Sequence, residues 1–208
     1  MLWHAQYDPL QFSSKCAKTQ QALHAAGLGS ASARRQAEYW AGRCLMMQAF
    51  GLQTPPGRMP SGAPRWPSGS GSLSHSSDNI LLLAGPEGAC LGVDIERLLM
   101  PVALQSVINR VATQAEQRWL HTLAASQQQF CATLLFSAKE TLFKALCAKM
   151  NVNPGYAAVE APAPPQCGIL TVELTRSLGP GLDSGHYFEL NYAQMNDFVL
   201  TWLCQSSI

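Results

Sequence analysis

Apolar and polar positions along the chain follow two rhythms, and each rhythm predicts its own elements. Residues 30–50 carry Tyr39, Trp40, Leu45, Met46 and Phe50 as an apolar stripe among alanines, which predicts a helix. Ser30 or Ser32 is placed to cap its start and Gly51 to end it. Its other face holds Arg34, Arg35 and Arg43. Residues 101–111 are apolar at helical spacing, and 113–123 form a further helix with Thr113 and Glu116 in capping-box register. The longest helical stretch is 127–149, where Leu134, Leu135, Phe136, Leu142, Phe143 and Leu146 mark the buried side. Strand rhythm covers 72–75, 80–84 and 89–95, separated by turns, and predicts a small antiparallel meander. Three more strands are predicted at 169–174, 186–192 and 198–203. Residues 1–29 show no clear period. The stretches 53–72 and 150–168 are rich in proline and read as irregular. Pro64, Trp66 and Pro67 favour an ordered loop over a flexible linker in the first of them. Helix then strands, repeated once, predicts an α+β fold in two similar halves joined near residue 100.

Composition narrows the class. Of 208 residues, 47% are hydrophobic and 13% charged, so the chain can bury one ordinary core or two small ones. Fourteen basic against thirteen acidic residues leave a net charge of +1, which argues against a nucleic-acid binder working by bulk charge. No apolar run approaches the roughly 18 residues of a membrane span. The start MLWHAQYDPL has neither a basic nor an apolar signal region, so no secretory signal is expected. Seven cysteines without a CxxC pair read as buried free thiols in a reducing cytoplasm.

With so few carboxylates, clusters of them carry information. In Gly92-Val93-Asp94-Ile95-Glu96 a strand would turn Asp94 and Glu96 to one face. That face is either a solvated strand end partnered by Arg97 or a site for a hard cation such as Mg²⁺. In Phe136-Ser137-Ala138-Lys139-Glu140-Thr141-Leu142-Phe143-Lys144, Glu140 and Lys144 stand four apart on one helical face. They make an ordinary ion pair, with Ser137 and Glu140 in capping-box register, or they serve a site for metal and pyrophosphate. In Gly71-Ser72-Leu73-Ser74-His75-Ser76 the histidine can cap a turn, meet a phosphate, or join a Ser/His/Asp triad with Asp78 or Asp94. No GxSxG elbow and no Walker A loop occurs in the chain.

Taken in their order along the chain, Trp66-Pro67, Gly71–Ser76, Gly92–Glu96 and Phe136–Lys144 resemble the 4′-phosphopantetheinyl transferases of the two-lobed, monomeric type. The likeness extends to the enterobactin synthase component D group, whose Arg-x-x-x-Tyr/Phe-x-x-Gly-Arg helix is similar to Arg35 through Arg43. It covers residues 30–150. The resemblance implies two pseudo-symmetric α/β lobes, 1–100 and 101–208, with the active site in the cleft between them. It implies transfer of the phosphopantetheine arm of coenzyme A to a carrier-protein serine, with release of 3′,5′-ADP. Asp94, Glu96 and Glu140 would then hold Mg²⁺, with Mn²⁺ as the alternative. Glu140 would also be the base, and Lys144 would pair with a phosphate. Lys139 would be a second phosphate contact. Arg35, Arg43, Ser74 and His75 would hold the coenzyme's phosphates. Ser61 stands where relatives often carry a basic residue, so Arg58 or Arg65 would have to replace it. Arg110 and Arg118 either belong to a carrier-docking patch or are simply solvated.

The implied partners are acyl, aryl or peptidyl carrier domains of siderophore or other non-ribosomal peptide synthesis. The implied setting is cytoplasmic, with peripheral attachment to a membrane-bound synthase complex left open. Competing readings are a non-catalytic relative that binds coenzyme A or the carrier, another Mg²⁺-dependent enzyme of nucleotide diphosphates, and a serine hydrolase using Ser74.

Overall fold

The computed structural model describes residues 1–9, 11–12, 16–59, 62–146 and 154–206. The chain divides into two compact units, Met1–Ala89 and Cys90–Ile208. Both are mixed helix and antiparallel sheet, as an α+β fold requires.

The first unit contains β1 (Leu2–Gln6), α1 (Ala17–Ala25), α2 (Ala33–Phe50), β2 (Ser70–Ser76) and β3 (Asn79–Gly85). Ser32 caps α2 by accepting from the Arg35 amide at 3.3 Å, and Gly51 ends it in the left-handed region at φ +64°. The sheet order is β1-β3-β2, so both edges of β3 are occupied. Leu45, Met46, Ile80 and Leu82 form the core, with Trp3, Trp66 and Leu73 packed on it. The Trp66 ring lies against Gly71, where any Cβ would meet it at 2.6 Å. The loop tryptophan is therefore a packed residue, as an ordered loop demands.

The second unit contains β4 (Cys90–Arg97), α3 (Pro101–Val111), α4 (Gln114–Leu120), α5 (Ala125–Leu146) and four more strands. These are β5 (Val159–Glu160), β6 (Ile169–Leu174), β7 (Tyr187–Met195) and β8 (Phe198–Gln205), in the order β4-β8-β7-β6-β5. The buried side of α5 packs on this sheet through Leu134, Leu135, Leu142 and Leu146. Thr113 and Glu116 form the expected capping box at the start of α4.

Several expectations change. The meander stops at two strands, because β3 is already paired on both sides and β4 pairs with β8 instead. The unit boundary accordingly falls at 89/90 rather than 100/101, and Asp94 and Glu96 belong to the second unit. Among the described residues the halves also differ in size, with three strands against five. β1 arises from the segment read as aperiodic, since only Trp3 and Ala5 turn inward on so short a strand. Of the six cysteines described, all free, only Cys90 and Cys131 are buried; Cys16, Cys44, Cys167 and Cys204 are exposed. Cys147 and Lys149, at the end of the expected long helix, lie outside the described residues, as does Ser61.

Candidate functional site

The site in the second unit begins with a missing side chain. A Cβ on Gly92 would stand 2.0 Å from the Thr141 carbonyl oxygen, so only glycine lets β4 approach α5 this closely. A hydroxyl cluster then fixes the register of the helix. Thr201 on β8 hydrogen-bonds Ser137 at 2.8 Å and Thr141 at 2.6 Å, and Thr201 is the direct strand partner of Asp94. Alternation along β4 turns Asp94 and Glu96 to the face of Gly92. Helical spacing on α5 puts Glu140 and Lys144 one turn apart.

Lys144 does not pair with Glu140. Its ammonium donates to Asp94 Oδ1 at 2.6 Å and to the Val93 carbonyl at 3.2 Å. Asp94 is 2% exposed, whereas Lys144 keeps 31% of its side chain exposed, so the carboxylate end of the pair is out of water and the ammonium end is not. Glu96 feels the opposite environment. Burial, reinforced by the charges of Asp94 and Glu140 and opposed by Lys144, pushes its carboxyl up to about 8. Arg97 does not neutralise this face; it meets Asp197 at 3.5 Å on the surface. The reading of a solvated strand end partnered by Arg97 is therefore set aside.

Three carboxylates beside one ammonium are the donor chemistry of a hard cation, with no thiol or imidazole among them. Among the described residues, no three such side chains are drawn together closely enough to hold a metal ion in this conformation.

Lys139 departs from its expected role at a phosphate. It is fully buried and spends its three donors on Glu116 Oε2 at 2.7 Å, the Val111 carbonyl at 3.0 Å and the Tyr156 carbonyl at 3.2 Å. Glu116, also fully buried, accepts from the Thr113 and Ala161 amides, both at 2.7 Å. Burial lowers the Lys139 ammonium, and Glu116 opposes that shift. Ser137 and Glu140 lie in mid-helix, so they cap nothing.

Sequence reasoning missed Tyr156. Its hydroxyl donates to Glu140 Oε1 at 2.5 Å, and its ring packs against Phe136 and Phe143. Burial first, then the Glu140 bond, holds the phenol well above its ordinary range, so it stays a donor. No spacing signal points to it, because it lies on a 3-10 turn (Tyr156–Ala158) inside the Pro-rich stretch.

The first unit gathers a different cluster. Arg35 Nη1 lies 3.1 Å from Glu38 and 3.2 Å from His75 Nε2, joining α2 to β2. Arg34 also meets Glu38, at 3.4 Å. Arg43 is not on the solvated face; it is 2% exposed, stacks on Tyr39 at 4.5 Å and leaves its Nε–H without a partner. Ser74 is buried beside His75. Arg58 is tied to the Gly62 and Ala26 carbonyls. A cavity of about 320 Å³ between β1 and α2 touches none of these residues.

Residues 90–187 match the model of the 4′-phosphopantetheinyl transferase superfamily, and residues 22–85 match that of the 4′-phosphopantetheinyl transferase N-terminal domain. Enterobactin synthase component D of Salmonella typhimurium is 32% identical over 135 residues, covering 62% of this chain and 55% of the relative. The 4′-phosphopantetheinyl transferase Svp of Streptomyces mobaraensis is 31% identical over 159 residues, covering 72% and 63%. The chain thus spans little more than half the length of these relatives. A crystal structure of a holo-(acyl-carrier-protein) synthase from Bacillus anthracis, in complex with CoA (3′,5′-ADP), aligns with a TM-score of 0.40 and 17% identity over 57% of this chain and 96% of that one.

Proposed function

The chain belongs to the 4′-phosphopantetheinyl transferase superfamily, and from that premise we propose that it transfers phosphopantetheine from coenzyme A to a serine of a carrier protein. The observation that carries this reading is the cluster of Asp94, Glu96, Glu140 and Lys144 that Gly92 allows to form between β4 and α5.

In the proposed reaction the serine oxygen bonds to the phosphorus that bears the pantetheine arm. The bond from that phosphorus to the oxygen of 3′,5′-ADP breaks. Glu140 accepts the serine proton. Lys144, with 31% of its side chain exposed, pairs with a pyrophosphate oxygen. A Mg²⁺ ion, or Mn²⁺ in its place, would be held by Asp94, Glu96 and Glu140 and would offset charge on the pyrophosphate. Glu96 is raised first by burial and then by the charges of Asp94 and Glu140, and a cation would relieve both. Arg35 and His75 bind the coenzyme's phosphates, with Arg43 and Ser74 completing that set. Lys139 is left out of it, because its ammonium is committed in the core.

Likeness to enterobactin synthase component D favours carrier domains of siderophore or other non-ribosomal peptide synthesis as the acceptors. Arg110 and Arg118 are exposed on α3 and α4 and suit an acidic carrier surface.

Intact-mass spectrometry of apo carrier domains, after incubation with this protein, coenzyme A and Mg²⁺, tests the proposal. The expected result is a gain of one phosphopantetheine, lost with EDTA and in Asp94→Ala and Glu140→Ala. Tight coenzyme A binding without any gain would favour the non-catalytic reading. Neither binding nor gain would overturn the transfer reading.

A further inference from the structure

We propose that Tyr156 is the positioning residue of the Glu140 carboxylate, and that it ties this carboxylate to the buried Lys139–Glu116 pair. The task given to Glu140 rests on the transfer reading above; the clamp itself rests on geometry alone.

Lys139 and Glu140 are neighbours on α5, so their side chains leave the helix about 100° apart. One enters the core and the other faces the acidic cluster. Tyr156 touches both. Its carbonyl accepts from Lys139 Nζ at 3.2 Å, and its hydroxyl donates to Glu140 Oε1 at 2.5 Å. Lys139 is in turn held by Glu116 at 2.7 Å, with neither side chain exposed. The turn bearing Tyr156 is thereby fastened to α5 from its backbone side.

The ring is fastened as well. Phe136, Glu140 and Phe143 follow one another at i, i+4 and i+7, the spacing of one helical face. Tyr156 lies along that face, with ring centroids 6.0 Å from Phe136 and 5.8 Å from Phe143. Two aromatic contacts and one backbone contact leave its hydroxyl little choice of direction. With Oε1 occupied, Oε2 is the oxygen left to take the serine proton. A phenylalanine would keep both ring contacts and the backbone contact, and would lose only the bond to Glu140. The hydroxyl therefore serves the carboxylate and not the core.

The test uses the full chain as wild type, Tyr156→Phe and Glu140→Gln. In protein labelled with ¹³C at the glutamate carboxyl, the signal absent from Glu140→Gln identifies Glu140. At one fixed pH, that signal is expected to move in Tyr156→Phe. With coenzyme A and an apo aryl-carrier domain, kcat is expected to fall about ten- to a hundred-fold. KM for coenzyme A and the thermal midpoint are expected to stay at wild-type values. A stationary Glu140 signal would overturn the clamp. A moved signal with wild-type kcat would overturn its use in positioning. A joint loss of kcat, KM and thermal midpoint would make Tyr156 a structural residue and overturn the proposal. If the wild type modifies no carrier, the transfer reading falls, while a moved signal still upholds the clamp.

Discussion

Two charged clusters, one in each unit, treat charge in opposite ways. In the second, Asp94 is 2% exposed beneath Lys144, and Glu116 and Lys139 are not exposed at all. In the first, Arg34 and Arg35 meet Glu38 with 65% and 44% of their own side chains in water. Water and salt screen the exposed cluster, so its strength depends on what binds there. The buried groups are unscreened, so the fold sets their ionisation and their partners. One cluster is open to solvent; the other is set by the fold around it.

The sharpest way to break this contrast is Glu116→Ala. It leaves the Lys139 ammonium buried without its partner, and about 3–5 kcal/mol of stability should be lost in urea unfolding. A loss below 1 kcal/mol would mean that water reaches Lys139 and that the contrast is overstated. Next is Gly92→Ala, whose methyl group would press on the Thr141 carbonyl. About 1–3 kcal/mol should be lost, together with carrier modification. Gly57→Ala in the first unit, with open space around it, is the control and should change neither.

The pH dependence sharpens the comparison further. Glu96 is held at about 8 against an ordinary 4.5, so between these values the folded chain keeps a proton that the unfolded chain releases. Its contribution to stability is complete below pH 4.5 and is lost as pH rises through 8. Urea midpoints should fall across that window in wild type. They should fall less in Glu96→Gln, which cannot ionise. Added Mg²⁺ should reduce the wild-type fall, because a cation favours the ionised carboxyl. The smallest effect belongs to Glu38→Ala, at about 0–1 kcal/mol, and added salt should erase it.

The helices beyond residue 30 were legible in the chain because their signals are local, whereas α1 lies in the segment read as aperiodic. Ser32, Gly51, Thr113 and Glu116 cap where capping chemistry puts them. The stripe from Leu134 to Leu146 buries as its spacing requires. Asp94, Glu96, Glu140 and Lys144 were also legible as candidates, since strand and helix periods assign each to a face. What failed was partner choice. Glu140 and Lys144 at i, i+4 suggested a mutual pair, yet Lys144 crosses to Asp94 and Glu140 takes Tyr156. Lys139 was expected as a second phosphate contact, yet it reaches Glu116, 23 residues away in sequence.

Pairing β4 with β8 rather than β3 likewise depends on which strand edges remain open, and β1 had already filled the other edge of β3. Residue order by itself determined the longer elements, their faces and the family, because those follow from periodicity and short motifs, but not β1, α1 or β5. Only the tertiary structure decided which strand meets which, which charges are buried and what holds Glu140. Those outcomes arise from contacts between segments far apart in the chain, where burial sets the strength of every charge.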